Sequence, residues 1–169
     1  MHTIDFNRVP VFYHKYLQKV DAATVQQALE TQQNELNVFL ASIPDEKWMH
    51  KYAADKWTIK ELVQHITDAE RIFCYRALCF SRGEKGSLPG FEENDYVVAS
   101  NANARTKENI LQELKTVQAA TLSLFNSFTE EQLNAEGIAN GNPIYVKAIG
   151  FIVAGHARHH MEILKERYL

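Results

Sequence analysis

His156 and His160 stand four residues apart in Gly155-His156-Ala157-Arg158-His159-His160, near the end of a chain of 169 residues. On a helix this spacing puts two imidazoles side by side, as two neighbouring ligands of one metal ion must be, with nitrogen bonds of about 2.1 Å. In steps of three and four, Tyr145, Ile149, Ile152, His156, His160 and Ile163 fall on one stripe, so both imidazoles occupy positions that core residues normally fill. Two core histidines satisfied by hydrogen bonds would give the same pattern; a third ligand separates the two readings. His65 is the candidate. It lies at the edge of an apolar face, between Leu62 and Ala69, and no other histidine falls on the second or third long helix. His50 is nearby in sequence but sits in an irregular connection that fixes no direction for it.

Four long helices must position these residues. The first is expected from about Asp21, an N-cap candidate, to Ser42, with Val25, Leu29, Leu36, Phe39, Leu40 and Ile43 on one face and Pro44 behind it. Gln32 interrupts that face and either hydrogen-bonds within the core or lines a polar cavity. The second helix opens at Thr58-Ile59-Lys60-Glu61, a capping box, and runs to about Ser81. The third spans about Asn103 to Phe128 through Ile110, Leu114, Val117, Thr121, Leu124 and Phe125, and Thr129-Glu130-Glu131-Gln132 caps a short extra turn. Asn140-Gly141-Asn142-Pro143 reads as an Asn cap and a first-turn Pro, which starts the last helix at Asn142 and carries it to Arg167. Residues 6–20 suggest a lead-in helix, and Trp48, Tyr52 and Trp57 in the 44–57 connection suit the closing of one end of the core.

The second and fourth helices are each about 36 Å long, with His65 about 11 Å from the start of one and the 156/160 pair about 13 Å from the end of the other. The heights match only if the two helices are antiparallel; a parallel pair would separate the imidazoles by roughly 10 Å. The second and third helices then run parallel, and only residues 82–102 are generous enough to connect them, which predicts an up-down-down-up four-helix bundle. That connection, with Gly83, Gly86, Gly90, Phe91 and Tyr96, is either a plain crossover or a cover over the site that sets substrate choice. Asp68 is positioned to orient a neighbouring imidazole, while Glu70 and Arg76 each border the apolar face, either in a partly buried ion pair or as a solvated flank.

With 46% hydrophobic residues, seven Gly and four Pro, residues 1–169 suit a single all-helical domain with one core. A net charge of −3 and no basic cluster argue against nucleic acid as a partner. No stretch is apolar for long enough to span a bilayer, and Met1-His2-Thr3-Ile4-Asp5 does not read as a secretory signal. Cys74 and Cys79, five apart on one helix, diverge, so they are expected as free thiols in a cytoplasmic protein. Aromatic residues near the N-terminus would suit a homodimer.

Trp57-Thr58-Ile59-Lys60-Glu61-Leu62-Val63-Gln64-His65, Leu88-Pro89-Gly90-Phe91 and Gly155-His156-Ala157-Arg158-His159-His160 together resemble the DinB/YfiT-like superfamily over nearly the whole chain. The resemblance implies a four-helix bundle that binds a divalent metal through His65, His156 and His160, with His159 a neighbour and not a ligand. It also implies one of several activities, since the family includes bacillithiol-using S-transferases, mycothiol-dependent isomerases and metal-dependent hydrolases. Zinc or nickel suits three imidazoles, and iron or manganese is compatible with the ligand type. The leading expectation is transfer of a small-molecule thiol to an electrophile, since three neutral nitrogens leave an open coordination position. Hydrolysis ranks second because no carboxylate has an obvious place beside the ion, and a non-catalytic, metal-stabilised ligand-binding or stress protein ranks third.

Overall fold

The computed structural model describes residues 4–169. Seven helices, α1 (Val11–Leu17), α2 (Val25–Ser42), α3 (Ile59–Ser81), α4 (Glu93–Ser100), α5 (Lys107–Asn126), α6 (Glu130–Asn134) and α7 (Val146–Ile163), are joined by a hairpin of β1 (Glu136–Ala139) and β2 (Asn142–Tyr145). A π-helical turn over Leu164–Tyr168 extends α7. The capping box of α3 forms as its sequence requires, with the Glu61 amide on the Thr58 hydroxyl and the Glu61 carboxylate on the Thr58 amide. The Thr24 side chain, and not Asp21, caps α2, and Thr106 caps α5, three residues beyond the expected Asn103. No helix among the described residues is long and apolar enough to cross a membrane.

The largest departure is at the last helix. Residues 142–145 are strand, paired with 136–139, and α7 begins only at Val146. Asn140 and Gly141 have φ of 51° and 72°, the left-handed pair of a two-residue hairpin turn, so Asn-Gly here closes a hairpin and does not cap a helix. Pro143 sits in a two-stranded ribbon, where a missing N–H is tolerated. The hairpin also holds the connection after α3: Leu88 donates to the Ile138 carbonyl at 2.9 Å and accepts from the Asn140 amide at 2.9 Å. Pro89-Gly90-Phe91 is thereby fixed against the bundle.

Cross-helix contacts give the directions. Gln64–Arg105, Arg71–Glu113 and Cys74–Thr121 rise together, so α3 and α5 are parallel. Ile43–Lys107 and Gln26–Phe125 run oppositely, so α2 and α5 are antiparallel. The Tyr168 hydroxyl donates to the Trp57 carbonyl at 2.8 Å, which joins the end of the α7 segment to the start of α3 and makes those helices antiparallel. Glu35–Arg158 and Val25–Gly150 set α2 parallel to α7. The order is up-down-down-up, as expected, and the 82–106 connection crosses the bundle with α4 packed on α3.

The core divides in two. One apolar cluster holds Leu29, Phe73, Phe125, Phe151 and Val153, the other Leu36, Leu62, Ile66, Leu114, Ala157 and Tyr168. Between them along the four helices lie the buried polar residues Gln32, His65, Glu70, Gln118 and His156. Gln32 therefore does interrupt its helix face as part of a polar level, and neither its Oε1 nor its Nε2 has a described hydrogen-bond partner.

Candidate metal centre

The polar level of the bundle is where the three predicted histidines meet. His65 on α3 and His156 and His160 on α7 bring their Nε2 atoms together, with His65–His156 and His160–His156 both at 3.1 Å. All three lie within 4.8 Å of one another. Hydrogen bonding alone does not account for this, because the His156 Nε2 carries either one hydrogen or one lone pair and cannot serve two partners well. A shared cation does: tetrahedral bonds of about 2.0–2.1 Å place ligand nitrogens about 3.3 Å apart. The donor set thus fits a divalent ion with at least one position left open.

Burial prepares the nitrogens for this. His65 is 4% exposed, and desolvation lowers its pKa to about 4. His156 and His160 are held well below the ordinary value by desolvation and then by the neighbouring histidines. All three are neutral at pH 7, so their lone pairs are free for a metal. Aromatic rings fix the imidazoles: Trp57 lies 4.9 Å from His65, and Tyr16 on α1 meets His156 edge-on at 5.4 Å. His159 is outside the cluster, with its ring against Tyr16 at 5.4 Å.

Two cavities reach this place from different sides. One, of about 220 Å³, is lined by His65 and His156 together with Tyr13, Tyr16, Phe73, Arg76 and Phe91. The other, of about 230 Å³, is lined by His160 with Tyr52, Lys56, Trp57 and Tyr168. The 82–102 connection is therefore more than a crossover, for Phe91 forms part of a cavity wall and Tyr96 backs it with ring centroids 5.1 Å apart.

The acidic candidates lie elsewhere. Asp68 does not orient an imidazole; it accepts from Gln64 at 3.0 Å and pairs with Arg71 at 3.3 Å on the α5 side. Glu70 and Arg76 form no described ion pair, since Arg76 donates to the Pro89 carbonyl at 2.9 Å while Glu70 turns toward Thr121 on α5. Glu70 is 3% exposed, its Oε1 has no described hydrogen-bond partner, and desolvation pushes its pKa up to about 7. A raised pKa contributes stability that is full below the unfolded value near 4.5 and is lost as pH rises through about 7. Glu70→Gln is accordingly expected to stabilise the protein at pH 8, on the order of 3 kcal/mol, and to change little at pH 4, as thermal unfolding at the two pH values will read.

Tyr16 and Gly155 were not legible as parts of the site. A β-carbon on Gly155 would lie 2.1 Å from the Tyr16 carbonyl oxygen, so the glycine beside His156 lets α1 lie directly on α7. The signal was present in pieces: Tyr13 and Tyr16 are one helical turn apart, and Gly155 stands in the middle of an apolar helix.

The family model of the DinB superfamily matches residues 28–164. A protein of Oceanobacillus iheyensis, provisionally named a metal-dependent hydrolase, is 27% identical over 138 residues, 81% of this chain and 79% of the relative. In structure the chain is similar to YfiT from Bacillus subtilis, described as a provisional metal-dependent hydrolase with an unusual four-helix bundle topology. The TM-score is 0.74 at 15% identity, with 98% of this chain and 91% of that one covered. The mycothiol-dependent maleylpyruvate isomerase matches with a TM-score of 0.68 at 11% identity over 95% of this chain and 62% of its own.

Proposed function

The chain belongs to the DinB superfamily, and from that premise we propose a divalent-metal-dependent enzyme that transfers a small-molecule thiol to an electrophile, with His65, His156 and His160 as the metal ligands. The observation that carries this reading is the convergence of three neutral nitrogens, with His65 and His156 on the wall of one cavity and His160 on the wall of another. Two cavities suit two organic reactants, whereas hydrolysis needs room for one besides water. Zinc or nickel is the preferred ion, with iron or manganese next. When bound, the ion supplies an open coordination position and the charge that favours a thiolate over a thiol at neutral pH.

The chain's own residues do the rest. His65, His156 and His160 stay unprotonated through burial, and the rings of Trp57 and Tyr16 hold two of them in place. Phe73 and Phe91 contribute apolar rings to one cavity wall, which disfavour water there. Burial raises Tyr13 and Tyr16, so both keep their protons and can donate to negative charge that develops on the electrophile.

Hydrolysis is the second reading, favoured by the designation of the Oceanobacillus relative. It normally needs a carboxylate near the ion to move a proton, and Asp68 and Glu70 are engaged on the α5 side. A purely structural ion is less suited to a set of only three ligands.

The test is to incubate metal-loaded protein with bacillithiol, glutathione or cysteine and then with monochlorobimane or a small epoxide. A metal-dependent thioether product, read by mass spectrometry, is expected. A metal-dependent diol formed from the epoxide equally well without thiol, with no thioether when thiol is present, would replace this reading by hydrolysis. Replacing both Phe91 and Tyr96 by alanine is expected to shift the ratio of kcat/KM between two electrophiles by about tenfold while metal content is unchanged.

A further inference from the structure

Arg76 is the buried charge that the metal chemistry does not use. It is 4% exposed, on the wall of the cavity that also exposes His65 and His156. Buried guanidinium groups are rare without an anionic partner, because a carboxylate or phosphate ordinarily offsets the loss of water. Here one N–H goes to the Pro89 carbonyl at 2.9 Å, the Tyr13 hydroxyl lies beside the group, and the Phe73 ring sits 6.0 Å away. No described carboxylate forms an ion pair with it. Five donors in a planar fork leave enough to receive two carboxylate oxygens side by side.

The surroundings agree with an anionic occupant. Lys15 and Asn140 line the same cavity, as does one acidic side chain, Glu93. Lys15 and Glu93 are both exposed, so their opposite charges sit in water and largely cancel. Arg76 acts from the protein interior, where the same charge has several times the effect. The Leu88 bridge to β1 and the hydrogen bond from Arg76 to Pro89 together hold the wall of this cavity in place, so the guanidinium is fixed before anything binds.

We propose that Arg76 forms a carboxylate-binding subsite beside the three histidines, and that the reactant entering this cavity is an organic acid. The proposal rests on the thiol-transfer reading for the identity of the reaction, and on Arg76 alone for the acid.

Binding calorimetry on zinc-loaded protein separates the two. Of 3-mercaptopropionate and 3-mercapto-1-propanol, which differ in the carboxylate, the acid is expected to bind at least about tenfold more tightly. In Arg76→Gln that preference should fall to about twofold or less with metal content and melting temperature kept, and Arg76→Lys should retain an intermediate preference. A purely structural Arg76 would not move this ratio. Equal binding of the two thiols by the wild type overturns the subsite, whether or not the variants fold. So does a preference that persists in Arg76→Gln, since the ion itself would then be the anchor. Hexanoate and hexanamide, which carry no thiol, form the independent arm. A preference for hexanoate that is lost in Arg76→Gln supports the subsite even if neither thiol binds and the transfer reading fails; equal binding of hexanoate and hexanamide overturns it.

Discussion

His156→Ala protein is expected to carry almost no metal where the wild type carries about one divalent ion per chain, as mass-spectrometric metal analysis will read. His156 is the shared partner, its Nε2 lying 3.1 Å from the Nε2 of both His65 and His160. Removing it leaves two nitrogens from different helices, with a methyl group where the central ligand stood. Loss of groups that only orient ligands commonly lowers metal affinity by about 10–100-fold, so loss of a ligand should exceed that range. His160→Ala and His65→Ala are expected to fail in the same way. His159→Ala should keep the ion, because that ring packs on Tyr16 and is not in the converging group. An ion lost from His159→Ala but retained in His160→Ala would mean that the four-residue register of the pair is wrong.

That register was legible in the sequence for a physical reason. A helix of 3.6 residues per turn leaves a four-residue pair on one face whatever the rest of the fold does, and a capping box fixes where α3 starts. From those two facts the height match of His65 with the 156/160 pair followed, and with it the antiparallel packing of α3 and α7 and the bundle order. The hairpin before α7 was misread because Asn and Pro are favoured both at helix starts and in turns. What separates the two uses is the left-handed backbone at Asn140 and Gly141, for which Asn-Gly is the stronger signal. Helix α4 escaped notice because Val97 is its one buried side chain, so it has almost no apolar face to read. The cavities were beyond sequence reasoning altogether. Tyr13, Arg76, Phe91 and Asn140 come from four separate elements, and only the strand bridge at Leu88 and the packing of α1 bring them to one wall.

That packing depends on one missing side chain, and Gly155→Ala is expected to lower the melting temperature by roughly 4–10 °C. In an unobstructed helix the substitution would stabilise by about 0.5–1 kcal/mol, since alanine loses less backbone freedom than glycine on folding. Here the new β-carbon would lie 2.1 Å from the Tyr16 carbonyl oxygen, 2.6 Å from its carbonyl carbon and 3.1 Å from its α-carbon. All three are backbone atoms, so no rotamer change relieves the overlap, and α1 must move off α7. Overpacking of this kind commonly costs about 1–3 kcal/mol, and a backbone obstacle belongs at the upper end, so the cost exceeds the helix gain. The consequence for the site is local. Tyr16 leaves the edge of His156, and the cavity wall formed by Tyr13 and Tyr16 loosens. Hydrogen exchange should accordingly quicken over residues 11–17 more than in the middle of α3 or α5, because α1 is a short outer helix while those helices carry the core. A variant with an unchanged melting temperature and unchanged exchange in α1 would show that α1 does not rest on Gly155.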